Sequence, residues 1–275
     1  MTRHFKTTDD IDIAFDDQGR GPVLLCLTGL TRNREDFDTV QGLSRRVRLI
    51  RMDYRGRGAS DHADWRTYTV AREAQDAIEL LDHLEIPQAA ILGTSRGGLI
   101  AMLLAHTHRD RLAGVLLNDI GPVIEPAGLE AIKGYIGIRP PYADYDEAAE
   151  ALRQTHADTF PDVGLAQWVV FARRIFRQTR DGLDLRYDPA LREAVLADAA
   201  PAPDLWPLFE SLAGLPVAVL RGENSNLLSA ETVAEMTRRH PGLISTTVRR
   251  RGHVPFLDEA ESVSLIDAFL TRIGA

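Results

Sequence analysis

One cysteine among 275 residues excludes an intrachain disulfide framework. That cysteine, Cys26, stands inside the apolar run 23–27, where a small core residue is expected rather than a nucleophile or a ligand. No apolar stretch approaches the ~20 residues that span a bilayer. The first ten residues, with His4, Lys6 and two aspartates, lack the apolar core of a signal peptide, so the expected setting is cytoplasmic. An excess of basic charge is also missing: 32 Lys and Arg stand against 40 Asp and Glu, a formal net charge of -8. Nucleic acid and anionic membrane surfaces are therefore not expected partners. Histidines and carboxylates do not fall at metal-ligand spacing, and no cofactor is expected. The glycine-rich stretch 53–60 lacks both the Gly-Lys-Ser/Thr ending of a phosphate loop and the dinucleotide spacing. It reads as a tight polar turn.

What is present is organised around residues 89–105. A short apolar run ends at Gly93, a polar corner follows, and apolar residues then recur at helical spacing through Leu99, Ile100, Leu103 and Leu104. The corner, Gly93-Thr94-Ser95-Arg96-Gly97, is a Gly-x-Ser-x-Gly pentapeptide between a strand pattern and a helix pattern. In that context the turn presents the serine hydroxyl at its tip, and its glycines allow strand and helix backbones to approach. Ser95 is the candidate nucleophile.

A length of 275 residues suits one large α/β domain with an insertion. Residues 4–8 and 11–15 alternate as an edge hairpin, and 23–27, 47–52, 112–117, 216–220 and 243–248 read as further strands. An amphipathic helix spans 70–84, with Val70, Ala74, Ala77, Ile78, Leu81 and Leu84 on one face and the charges opposite. Strands alternating with helices predict a mostly parallel central sheet flanked by helices. Between 121 and 212 the strand pattern stops, and helical patches at 146–157, 165–176, 191–199 and 205–212 take its place. The expected organisation is a core of residues 1–120 and 213–275 with an inserted all-helical cap over 121–212. Aromatic residues of that cap, Trp168 among them, are candidates to roof a substrate pocket.

Loops leaving the carboxyl ends of central strands gather ligand sites in open α/β sheets. In Thr28-Gly29-Leu30, Gly29 lets backbone approach a ligand, so the N–H groups of Leu30 and Arg96 are the candidate oxyanion donors. Arg32 lies at the same mouth and is a candidate substrate contact, with Arg96 a second cation for a substrate that bears its own carboxylate.

These loops, together with Gly252-His253 before the last helix, resemble the α/β-hydrolase fold superfamily over nearly the whole chain. The resemblance implies that Ser95 is a nucleophile and His253 its general base, acting on a small-molecule ester or lactone through an acyl-enzyme. Two acid positions are open. Many relatives place an aspartate in the loop after the 216–220 strand, where this chain has Ser225-Asn226-Leu227-Leu228. Some esterases and dehalogenases of the fold instead use the end of the strand after the elbow helix, and Asp119 stands there. Asp119 is the favoured partner of His253, Asn226 marks the other position, and Glu223 is a third choice. Other readings are a carbon–carbon bond hydrolase or lyase of the same fold and a catalytically impaired ligand-binding protein. A homodimer is also compatible with the sequence. Aspartate-nucleophile enzymes of the fold are disfavoured by Ser95.

Overall fold

The computed structural model describes residues 2–197 and 203–275. Ten strands and nine α-helices are assigned among them. The chain opens with β1 (Arg3–Lys6), β2 (Asp12–Gln18) and β3 (Val23–Leu27), then a run of 3-10 turns (Arg34–Arg45) and β4 (Arg48–Met52). Helix α1 (Val70–His83), β5 (Ala89–Thr94), α2 (Arg96–Thr107) and β6 (Leu112–Asn118) follow. The insertion holds α3 (Pro126–Tyr135), α4 (Tyr145–Thr155), α5 (Leu165–Ile175), β7 (Phe176–Thr179), β8 (Gly182–Leu185), α6 (Leu191–Ala197) and α7 (Trp206–Glu210). The chain closes with β9 (Val217–Gly222), α8 (Ala230–Arg239), β10 (Ile244–Val248) and α9 (Ala260–Arg272).

Eight strands form one sheet in the order β1-β2-β4-β3-β5-β6-β9-β10. β2 runs antiparallel to both β1 and β4, and every pairing from β4 through β10 is parallel. Strands in the middle are buried on both faces, so their sequences are continuously apolar, and the two-residue period sorts them into two cores. Leu25, Leu27, Ile91, Val115, Leu117 and Val219 face α1 and α2. Leu24, Cys26, Leu92, Leu116 and Leu220 face α9. Cys26 is fully buried, and desolvation pushes its thiol pKa up, consistent with a packing role.

The insertion differs from the all-helical expectation. β7 and β8 pair antiparallel as a separate two-stranded ribbon, registered Phe176 to Leu185. The reason is visible in Phe176-Arg-Gln-Thr and Gly182-Leu-Asp-Leu: each is too short for hydrophobic periodicity to register, and Gly182 takes a positive φ of 99° that a turn requires. Helix α3 begins at Pro126, whose fixed φ suits the first helical position, ahead of the helical patches expected from 146 onward. Of the expected 191–199 helix, residues 198 and 199 lie outside the described residues.

Helix α1 also departs from its pattern. Glu73 and Asp76 are both fully buried on the side that meets the core. Each has a guanidinium partner: Asp76 accepts from Arg55 (2.7 Å) and Arg72 (3.0 Å), and Glu73 from Arg96 (2.5 Å). A helical wheel sends charges to solvent, whereas paired charges are free to turn inward.

Insertion and core are joined on two sides. Near the 53–60 turn, Tyr68 donates to Asp188 (2.6 Å), Gly58 N–H donates to the Arg186 carbonyl (2.8 Å), and Arg186 forks onto Glu35. On the other side Arg251 pairs with Asp162 (2.6 Å), and Phe256 stacks on Phe160 at 5.3 Å. Among the described residues no helix is long and apolar enough to cross a membrane.

Candidate active site

At the carboxyl end of β5 the chain turns into α2 through Ser95, held at φ 49° and ψ -113°. A non-glycine residue at positive φ is strained, and the strain persists only where surrounding packing enforces it. Here it does. A Cβ at Gly93 would stand 2.6 Å from the Gly97 carbonyl carbon, and one at Gly97 would stand 2.6 Å from the Leu27 carbonyl carbon. Strand and helix thus meet backbone to backbone, which forces the corner and lifts the hydroxyl out of it.

His253 and Asp119 converge on that hydroxyl from far along the chain. His253 Nε2 lies 3.0 Å from Ser95 Oγ, and its Nδ1 lies 2.7 Å from Asp119 Oδ2. Asp119 is fully buried immediately after β6, at a positive φ of 57°, and its N–H donates to the Leu220 carbonyl of the neighbouring strand. Its second oxygen accepts from Gly222 N–H at 2.7 Å, and Oδ2 also accepts from the Ser225 hydroxyl at 2.6 Å. Two further donors thus hold the carboxylate and aim it at the imidazole edge. With Asp119 accepting at Nδ1–H, the tautomer that leaves a lone pair on Nε2 is the one facing Ser95.

Asn226 takes no part in this arrangement. It is exposed, and the β9 loop contributes its neighbour Ser225 instead, a hydroxyl that the sequence reading passed over. Glu223 is also elsewhere, accepting from Arg250 N–H at 2.8 Å. The chain therefore brings Asp119 to the histidine and leaves both other positions outside. The β9 loop still matters, as the clasp around the Asp119 carboxylate.

The Thr28-Gly29-Leu30 loop lies against Ser95, with a Cβ built on Gly29 only 4.0 Å from that of Ser95. The Gly29 carbonyl accepts from Arg32 N–H at 3.2 Å, which in a trans peptide turns the Leu30 N–H the opposite way. Arg96 is the first residue of α2, so its N–H has no acceptor inside the helix. The Gly29–Leu30 segment therefore lies beside Ser95, and the Arg96 N–H follows the serine directly in the chain.

The side chains of the two arginines are differently placed from the expectation of substrate cations. Arg32 forks onto Asp36 at 2.7 and 2.6 Å and stacks over Phe171 at 4.3 Å. Arg96 turns away to Glu73 and to the Tyr68 carbonyl at 3.0 Å. Each charge already has its counter-charge. Trp168 is 1% exposed, packed among His156, Phe160, Phe171 and Phe256, so it has no free face to offer a substrate. Tyr135 is one of several residues of the insertion, with Ile138, Leu165 and Val170, that face open space. It is about half exposed, while burial around its hydroxyl raises the phenol pKa against the opposing pull of Arg32 and Thr31.

Comparison with known proteins agrees with this architecture. Residues 24–264 match the model of the alpha/beta hydrolase family. The 3-hydroxybutyrate-oligomer hydrolase of Cupriavidus necator is 36% identical over 260 residues, covering 90% of this chain and 88% of its own. The 2-(acetamidomethylene)succinate hydrolase of Mesorhizobium japonicum is 28% identical over 94% of this chain and 90% of its own. The crystal structure of an alpha/beta hydrolase from Novosphingobium aromaticivorans superposes with a TM-score of 0.93 at 39% identity, covering 99% of this chain and 98% of that one. With the parallel sheet, the serine corner and the match along nearly its full length, this chain belongs to the alpha/beta hydrolase family.

Proposed function

We propose that the protein is a serine hydrolase of carboxylic esters, working through an acyl-enzyme on Ser95. The observation that carries this reading is the unbroken relay from Ser95 Oγ to His253 Nε2 at 3.0 Å and from His253 Nδ1 to Asp119 at 2.7 Å. In the forward step Ser95 Oγ attacks the ester carbonyl while its proton passes to His253 Nε2. The imidazolium so formed is stabilised by the buried Asp119 carboxylate. Negative charge on the carbonyl oxygen falls to the N–H groups of Leu30 and Arg96. Collapse of the tetrahedral intermediate breaks the carbon–oxygen bond, and His253 returns the proton to the departing alcohol. Water, deprotonated by the same imidazole, then releases the acid and restores Ser95.

The substrate class follows from charge and from kinship. The 36% identical relative acts on 3-hydroxybutyrate oligomers, so short hydroxyacyl esters, with lactones as their cyclic counterparts, are the substrates proposed here. A second reading, hydrolysis of a dicarboxylate like that named for the 28% identical relative, is weakened by the pairing of Arg32 with Asp36 and of Arg96 with Glu73. An unpaired cation at the mouth is what a second carboxylate needs.

The test is turnover on a panel of aryl esters, 3-hydroxybutyrate dimers, lactones and dicarboxylates, with and without Ser95→Ala. The expected result is turnover of aryl esters, 3-hydroxybutyrate dimers and lactones in preference to dicarboxylates, and a loss on the order of 10⁶-fold in the variant. Equal turnover by Ser95→Ala overturns the serine mechanism. Well-folded wild type that binds esters without turning over any of them favours the ligand-binding reading.

A further inference from the structure

The 53–60 turn and the first turn of α1 supply a feature that the relay does not use. Glu73 is fully buried, and two guanidiniums converge on it. Arg96 Nε donates to Oε2 at 2.5 Å, and Arg57 Nη1 stands 2.9 Å from Oε1. Arg57 is itself enclosed, with its guanidinium 5.1 Å from the Tyr68 ring centre and 5.7 Å from that of Tyr54. Its Nε donates to the Leu30 carbonyl at 3.0 Å and its Nη1 to the Arg55 carbonyl at 2.7 Å.

Those contacts reach both proposed oxyanion donors. The Leu30 N–H belongs to the peptide between Gly29 and Leu30, and the peptides on either side are each held. The Thr28 carbonyl accepts from Gly97 N–H (3.0 Å) and from Tyr54 (3.1 Å), and the Leu30 carbonyl accepts from Arg57. The second donor is the backbone of Arg96, whose side chain is drawn to the same carboxylate. Two positive charges and one negative charge are thus gathered beside the two chain segments that carry the N–H groups, with Glu73 and Arg57 fully buried. The surplus positive charge favours negative charge developing in front of them, where little water screens it. Burial lowers the pKa of Arg57, and Glu73 opposes that shift.

We propose that Glu73 is a positioning residue for the transition state, clamping through Arg57 and Arg96 the two chain segments that supply the oxyanion donors. The proposal rests on the reading of Ser95 as the acylated nucleophile. Glu73 touches no substrate; it acts through the two arginines.

The test compares wild type with Glu73→Gln and Arg96→Met as full-length proteins. Arg96→Met keeps the backbone donor and loses only its anchor, and because that side chain is 13% exposed it keeps the test open should Glu73→Gln fail to fold. Readouts are the labelling rate of Ser95 by a fluorophosphonate, kcat and KM on an aryl ester, the pH profile, and thermal melting. Expected are labelling and kcat about ten-fold or more below wild type in the folded variants, with KM within about three-fold. The activity midpoint in pH should stay put, since the contact between His253 and Asp119 is untouched. Variants that label and turn over within two-fold of wild type, on the order of experimental scatter, overturn the clamp alone. A wild type that takes no label at Ser95 overturns the reading of the nucleophile, and the clamp with it.

Discussion

Around Ser95 the packing surface is the backbone itself, whereas in the insertion small clusters of side chains do the packing. At the elbow, Gly93 and Gly97 let β5, α2 and the end of β3 approach within distances that no side chain fits. In the insertion, Phe160, Val163 and Trp168 form one cluster and Ala148, Ala172 and Leu183 another, each separate from the two large cores of the sheet. Backbone contact has few alternative arrangements, so it fixes a hydroxyl, a ring and a carboxylate to within bonding distance. Side-chain clusters tolerate substitution and repacking. The proposed chemistry thus sits on the rigid part of the molecule, and the insertion is the adaptable part.

The largest expected effect lies on the rigid side. Asp119→Asn should lower kcat on the order of 10⁴-fold, because an amide neither stabilises the imidazolium nor secures the tautomer. Asn226→Asp, at an exposed position away from the ring, should change kcat by less than about three-fold. Steady-state kinetics on one ester decides it; a large gain from Asn226→Asp would mean that the acid position is shared between the two loops.

A smaller effect is expected from the insertion, and on a different observable. Trp168→Ala removes the centre of a buried aromatic cluster and should cost about 3–5 kcal/mol locally. Hydrogen exchange should report it as lost protection in α4 and α5, while the labelling rate of Ser95 falls far less than in Asp119→Asn. If labelling collapses equally, the division between rigid chemistry and adaptable roof is wrong.

The smallest effect sharpens the same contrast through pH. His156 stacks on Trp168 at 5.4 Å, and burial lowers its pKa below the ordinary 6.5. A histidine held neutral in the fold binds its proton more readily when unfolded, so its contribution is present above pH 6.5 and is lost as pH falls through the lower, folded value. The insertion should therefore loosen in mild acid, and His156→Phe should flatten that dependence in melts followed by tryptophan fluorescence.

The legible parts of this protein were those written locally. Gly93 to Gly97 between an apolar run and a helix pattern announces the elbow, because the close approach demands glycine at particular spacings. Asp119 was legible as a candidate by its place at a strand end. The ribbon of β7 and β8 was not, because each strand is four residues long and half exposed. Ser225 was also missed: a serine beside an asparagine in a polar loop carries no mark of the carboxylate it will hold.

By itself the sequence determined most strands and helices of the sheet core and which residue stands at the strained corner, and its motifs carried the family resemblance. The first two follow from short-range spacing and backbone sterics. Tertiary structure alone decided that Asp119 and not the Asn226 position meets His253, that Arg96 is spent on Glu73, and that Glu73 and Asp76 turn inward. Whether a charge faces water or the interior depends on a counter-charge brought from a distant part of the chain. Composition and periodicity do not record that distance.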